Sequence, residues 1–273
     1  MPTDGRGPMA YSDLDLYSVN DANGGAGGAR LLGGADANAR THASLTNPLA
    51  GEGTYCREFT YDTGSDQNRY AVKAAYDGGS LVEIPDTKAV SVRAWVRLNT
   101  NNINSNCVGV GVKMDLSQSF GAPGLGLTSY NQPPYGYLLH IGNINTSNNG
   151  YDSINLYLYN RKVGASVGQK FVKMTTDANV STIPTISVDT WYKIRMDVVP
   201  VGPVEDRIDV YTGTGATGSE TWTLHHQETV VNSDAHYIPW GEVGGGEVGF
   251  FGLCGNNTYA AYLDRFQVFL TNV

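Results

Sequence analysis

Apolar and polar residues alternate with period two through most of this chain. In Val90-Ser-Val-Arg-Ala-Trp-Val-Arg-Leu98 the alternation puts Val92, Ala94, Val96 and Leu98 on one side of an extended backbone, with Arg93, Trp95 and Arg97 on the other. That is the pattern of a strand with one buried and one wet face. Similar runs occur at 54–61, 70–74, 108–114, 137–141, 154–159 and 170–174. In the last third they recur at Trp191–Val198, Arg207–Tyr211, Trp222–Leu224, Glu247–Gly252 and Ala261–Phe269. Gly, Asn, Pro and Asp clusters separate about a dozen strands, and long amphipathic helical patterns are missing, so the chain reads as an all-β sandwich. A one-residue slip would turn every side chain over. The register therefore commits Val92, Val96, Ile194, Met196, Val248, Phe250, Phe266 and Val268 to the interior.

The first 53 residues differ. Between Ala22 and Ala39 the chain is mostly Gly, Ala, Asn and Asp, with only Leu31 and Leu32 to bury. Such a segment lacks the apolar surface to fold alone. Two readings fit: a floppy terminus, or an extended arm ordered on a neighbouring subunit or a particle through the scattered anchors Tyr11, Leu14, Leu16, Tyr17, Leu31, Leu32, Leu45 and Leu49. The expected organisation is an arm at 1–53 and one sandwich at 54–273.

The order of the C-terminal runs resembles the concanavalin A-like lectin/glucanase superfamily, which includes laminin G-like domains. In that superfamily a tryptophan-led strand, a short strand, a loop, a Gly-Phe strand and a terminal Asp-x-Phe-x-Val strand close a jelly roll. The matching residues here are Trp191-Tyr-Lys-Ile-Arg, Arg207-Ile-Asp-Val-Tyr, the loop around Trp240, Val248-Gly-Phe-Phe-Gly and Asp264-Arg-Phe-Gln-Val. The resemblance implies a two-sheet antiparallel jelly roll, a structural role for Asp264, and a fold used mostly to present surfaces to sugars or proteins. It speaks to fold more than to function.

Composition narrows the partners. Only 16% of residues are charged, against about 25% in an average globular domain. Gly (34) and Tyr (17) are abundant, which suits a β protein with many turns and also one packed into an assembly. A net charge of −8 with no Lys/Arg cluster argues against nucleic acid. No apolar run is long enough for a membrane helix, and the first residues do not read as a signal peptide. Cys56, Cys107 and Cys254 are too widely spaced for a zinc site or a disulfide framework, and Cys107 and Cys254 read as small buried hydrophobes.

Catalytic constellations are weak. Glycosidases of this superfamily need paired carboxylates on one strand face. The nearest run, Glu205-Asp-Arg-Ile-Asp209, lacks a third acid and reads as a solvated strand start. The Tyr, His, Arg and Gln set of related polysaccharide lyases is not reproduced; Tyr159-Asn-Arg-Lys-Val-Gly164 is a distant echo. Alternation puts His225 and His226 on opposite faces, so they cannot chelate together, and His140 reads as a strand histidine. Asp115, Asp152 and Asp234 form no calcium pattern, so neither a metal nor another cofactor is expected.

What remains is a contact surface. Sugars dock on flat aromatic faces with amides and carboxylates nearby. Tyr130, Tyr135 and Tyr137 flank Asn131-Gln-Pro-Pro, and Tyr237 and Trp240 lie in the 232–246 loop. These five are the candidate glycan or protein contacts, the alternative being that they cap the ends of the core. Low charge, a Gly/Ala/Asn arm and wide polar loops on such a fold resemble virion surface components of tailed bacteriophages. The expectation is a non-enzymatic decoration or tail-fibre-type protein on the virion surface. Its expected partners are capsid or tail proteins, further copies of itself and a host surface glycan. A free carbohydrate-binding module and a degenerate hydrolase or lyase are the alternatives.

Overall fold

The computed structural model describes residues 9–10, 29–32, 39–42, 56–60, 69–76, 80–81, 88–100, 106–115, 135–143, 155–161, 169–173, 185–215, 219–234, 237–238, 247–254 and 260–272. Among these the chain forms strands β1 (Met9–Ala10), β2 (Ala29–Leu32), β3 (Ala39–His42), β4 (Cys56–Thr60), β5 (Arg69–Tyr76), β6 (Ser80–Leu81), β7 (Lys88–Leu98) and β8 (Asn106–Asp115). They continue with β9 (Tyr135–Asn143), β10 (Leu156–Arg161), β11 (Gln169–Lys173), β12 (Tyr192–Gly202), β13 (Glu205–Thr214), β14 (Thr221–Val231), β15 (Glu247–Cys254) and β16 (Ala260–Asn272). Each expected run falls on one of these strands, and the described residues include no helix.

The strands make two eight-stranded antiparallel sheets. Sheet 1 runs β14-β13-β12-β7-β16-β4-β3, with β1 also on β16. Sheet 2 runs β11-β10-β9-β8-β15-β5-β2, with β6 also on β5. The order is concentric: β7 and β8, and β15 and β16, take matching central positions in opposite sheets. From that centre β9-β10-β11 and β12-β13-β14 run outward as meanders.

The core lies between the sheets, where alternation placed it. The eight residues committed to the interior are all at most 2% exposed. Phe250 of sheet 2 packs against Phe266 of sheet 1 with ring centroids 5.2 Å apart, and against Phe59 at 6.3 Å. Cys107 is fully buried, as the reading of a small buried hydrophobe expects. Trp191 is half-buried over Ala260 and Tyr262 in a smaller cluster.

At its described positions the N-terminal segment pairs with strands of the two sheets. β2 pairs with β5, with Leu31 opposite Val72 and Leu32 opposite Ala71. β3 pairs with β4, and β1 pairs with β16. Sheet pairing therefore begins well before residue 54. The physical reason is that an edge strand offers a row of backbone N–H and C=O groups, which a partner can satisfy without apolar side chains. The other anchors of the expected arm lie outside the described residues.

Candidate functional site

The outer face of sheet 1 carries the richest chemistry. The alternation that sends valines inward sends Arg93, Trp95 and Arg97 of β7, Lys193, Arg195 and Asp197 of β12, and Asp209 and Tyr211 of β13 outward. Register aligns them in rows: Gln267–Arg93–Arg195–Tyr211–Leu224, and beside it Asp264–Trp95–Lys193–Gly213–Trp222. A third row sets Asp197 against Asp209. Like charges directly opposite each other are unfavourable unless something intervenes.

Aromatic rings and ion pairs intervene. The Arg93 guanidinium lies 4.1 Å from the Phe269 ring and 5.3 Å from that of Trp222. Arg195 lies 4.6 Å from Tyr211 and 5.7 Å from Trp222. Lys193 Nζ is 4.7 Å from Trp95 and 6.0 Å from Trp222. A cation over a ring face is stabilised by the ring quadrupole, more so when desolvated. Trp222 is thus the hub, half-buried, with its ring over Gly213; a Cβ there would sit 2.7 Å from the ring. On the same side Leu224 is 42% exposed, a contact group with nothing to cover it among the described residues.

Each of these cations also has an acid partner or an acid close by. Arg195 donates from Nε to Asp197 Oδ1 at 2.7 Å and from its second nitrogen to Oδ2. Arg207 and Gln227 hold Asp209 at 3.1 and 2.7 Å. Lys193 pairs with Glu220 Oε1 at 2.9 Å, and Arg97 with Asp189 at 2.8 Å. Burial works against the charged form of Glu220, yet the Lys193 bond and the nearby Arg93 hold its carboxyl below the usual range. Burial raises Asp209, against the pull of Gln227 and Arg207. Burial and then the charges of Asp197 and Asp209 push the Tyr211 phenol to about 12. The result is a stiff, charge-compensated platform of rings and forked donors. Asp197, Asp209 and Glu220 are tied up in ion pairs, and no nucleophile–base pair is found on the platform among the described residues.

No protein-family model and no curated protein sequence matches the chain. Solved structures do. A lectin from Bauhinia forficata in complex with GalNAc is similar over 97% of this chain and 99% of its own, with a TM-score of 0.50 at 10% identity. A carbohydrate esterase from the Shiga toxin-encoding bacteriophage phi24B is similar over 98% of this chain and 100% of its own, with a TM-score of 0.51 at 10% identity. The fold is the concanavalin A-like jelly roll. At these identities the likeness is one of fold.

Within this jelly roll the five expected contact residues fare differently. Tyr130 and Trp240 lie outside the described residues, as does the side chain of Tyr135, whose backbone opens β9. Tyr137 and Tyr237 are not surface groups: they are 0% and 3% exposed, inside the sandwich. They surround Lys113 Nζ at 5.4 and 5.2 Å. Alternation would point Lys113 outward, but it sits at φ 53° in a β-bulge that shifts the register of β8 against both neighbours. A bulge re-aims the side chain it carries. Lys113 therefore reaches across the core to Asp206 of β13. The reading of Glu205–Asp209 as a solvated strand start fails at Asp206 and Asp209, which are 1% and 3% exposed.

Two histidine expectations are also settled. A second bulge, between β13 and β14, opposes Tyr211 with Leu224 and Val210 with His226, leaving His225 without an opposite residue. Its Nε2 lies 2.7 Å from Thr212 Oγ1, in the register row of the core residue Ile194, so His225 leans to the core side with His226 instead of away from it. No group of metal-ligating residues forms among the described residues. Asp234 accepts the Val231 N–H at 3.0 Å and closes a turn; Asp115 and Asp152 side chains lie outside the described set. His140 is a strand histidine, 1% exposed on the outer face of sheet 2, stacked on Tyr157 at 5.4 Å and edge-on to Phe251 at 5.9 Å.

The platform residues were visible in the sequence only as outward-facing strand positions. Trp95 was assigned to the outer face, but nothing in one dimension brings Trp222 to Arg93. A tryptophan that falls on the polar side of an alternating strand is the signal that could have found it.

Proposed function

We propose that the protein is a non-catalytic contact module that binds a glycan on the outer face of sheet 1, around Trp222, as a surface component of a bacteriophage virion. The observation that carries the glycan reading is the half-exposed Trp222 ring among compensated guanidiniums. A sugar's C–H face stacks on such a ring while its hydroxyls meet Arg93, Arg195 and Gln227 at the rim. Because the charges cancel, the platform suits neutral hydroxylated ligands better than polyanions. The virion reading is supported by the composition, by the Gly/Ala/Asn segment, and by the occurrence of this fold in a phage protein. Capsid or tail proteins and further copies of the chain are then its partners.

The test is a glycan array with the full chain, followed by titration calorimetry on the best ligand. Trp222→Ala should abolish binding while leaving a folded sandwich; equal affinity in the variant would exclude this face. Immunogold labelling of purified particles tests the location, and labelling confined to lysate without particles would exclude the virion. The enzyme alternatives require turnover, which an assay on common polysaccharides reads directly. Activity lost with a single Asp or Glu substitution would replace this proposal.

A further inference from the structure

The interior of the sandwich holds a charged pair that the contact function does not use. Lys113 of sheet 2 and Asp206 of sheet 1 are each 1% exposed, and Nζ is in direct contact with Oδ2. Nζ also donates to the Ile238 carbonyl at 2.7 Å. The Tyr137 hydroxyl donates to the same Oδ2 at 3.0 Å and accepts the Ile238 N–H at 3.0 Å. The other carboxylate oxygen, Asp206 Oδ1, is buried without a hydrogen bond. As an ion pair this arrangement is poorly satisfied, since a buried carboxylate needs partners on both oxygens to offset its desolvation.

We propose that Lys113 and Asp206 condense into an intramolecular isopeptide bond that staples the two sheets together. The atoms balance without a co-reactant. One proton passes from Nζ to Oδ2 across their contact, giving an amine and a carboxylic acid. The Nζ lone pair then attacks Cγ and the carbonyl electron pair moves onto Oδ1. A second Nζ proton reaches Oδ2 through the Tyr137 hydroxyl, Oδ2 departs as water, and the carbonyl reforms on Oδ1. An ammonium and a carboxylate become a secondary amide and one water, with no change in oxidation state. Both buried charges disappear in the same step.

Three features of the site fit this reaction. The reacting groups are held from opposite sheets, so proximity comes from the fold itself. The Ile238 backbone grips both Nζ and the Tyr137 oxygen, fixing amine and relay relative to each other. Burial and the Asp206 charge raise the Tyr137 phenol well above its ordinary value, so it stays protonated and able to donate. The bond would close a covalent ring spanning 93 positions of sequence. Cross-links of that span restrict the unfolded chain strongly.

Intact mass spectrometry of the full, denatured chain tests this. The expected mass is one water below that of the sequence, and digestion should release a branched peptide joining the Lys113 and Asp206 segments. Lys113→Arg and Asp206→Ala should each restore the sequence mass. Tyr137→Phe should leave a larger uncross-linked fraction soon after expression, and cross-linking at the wild-type extent in that variant would overturn the relay. A wild-type mass equal to the sequence, or a water loss without the branched peptide, would overturn the bond itself. The wild-type measurement decides the matter even if a variant fails to fold.

Discussion

The outer faces of the two sheets are built by the same alternation and carry opposite chemistry. Sheet 1 presents Arg93, Lys193, Arg195, Asp197 and Asp209 interleaved with Trp95, Tyr211 and Trp222, partly open to water. Sheet 2 presents Gly109, Gly111, Leu138, His140, Tyr157, Tyr159 and Phe251, each buried and none carrying a charge near neutral pH. The first face is held by charges compensated in pairs; the second is packed like an interior, with one polar ring inside it. The difference teaches that alternation tells inside from outside in a strand but not which outside is wet.

The largest expected effect lies on sheet 1. Lys193→Met removes the cation from Glu220 while both side chains are only 4% exposed. Breaking one partner of a buried pair should cost about 3 kcal/mol, read from the midpoint of urea unfolding. A cost near zero would mean that the face is wetter than its burial shows.

Next come matched glycine substitutions, one on each face. A Cβ at Gly109 would stand 2.1 Å from the Leu139 carbonyl oxygen, which is backbone and cannot swing away. Gly109→Ala should therefore destabilise by roughly 1–3 kcal/mol. At Gly213 the obstacle is the Trp222 ring, a half-exposed side chain that can move. Gly213→Ala should cost less than about 1 kcal/mol yet weaken binding of the proposed glycan, since it displaces the ring. If both cost the same, the two faces are packed alike.

A subtler effect concerns His140. Neither ring nitrogen makes a hydrogen bond of normal geometry, and the Ile141 backbone supports the ring only weakly. Burial lowers its pKa from 6.5 to about 3, with the Ile141 backbone opposing only in part. The folded state thus keeps this ring neutral while the unfolded chain protonates it. The ring therefore adds no protonation penalty above pH 6.5, and stability is lost as pH falls from there toward 3. The slope in that window is roughly 1.4 kcal/mol per pH unit. His140→Met should remove that slope and, near neutral pH, raise stability by about 1 kcal/mol by deleting unsatisfied polar atoms. Titrating wild type and variant side by side separates the ring from the carboxylates that titrate in the same range. Parallel curves would show that the ring titrates in the folded protein as it does in water.

Much of the sandwich was legible because a period-two pattern encodes one fact per residue, the side of the strand it leaves from. That was enough for the strands from β4 onward, excepting the two-residue β6, and for the eight interior residues. It failed at Lys113 and at His225, where one extra residue in a bulge reverses or merges the sides. It also failed for β1, β2 and β3, whose pairing rests on backbone groups common to every sequence. The aromatic candidates split for a related reason: Tyr137 and Tyr237 read as loop-end groups, but the path of the chain turns both toward the core.

Alternation and turn residues by themselves determined that this chain is a β sandwich, and the order of its C-terminal runs pointed to its jelly-roll topology. Only the tertiary structure brought Trp222 beside Arg93 and Arg195, and Lys113 beside Asp206. Those neighbours are 93 or more positions apart in some pairs and meet through the register of intervening strands. Register is a property of the whole sheet, set by bulges and by packing between sheets, and no local run of residues carries it.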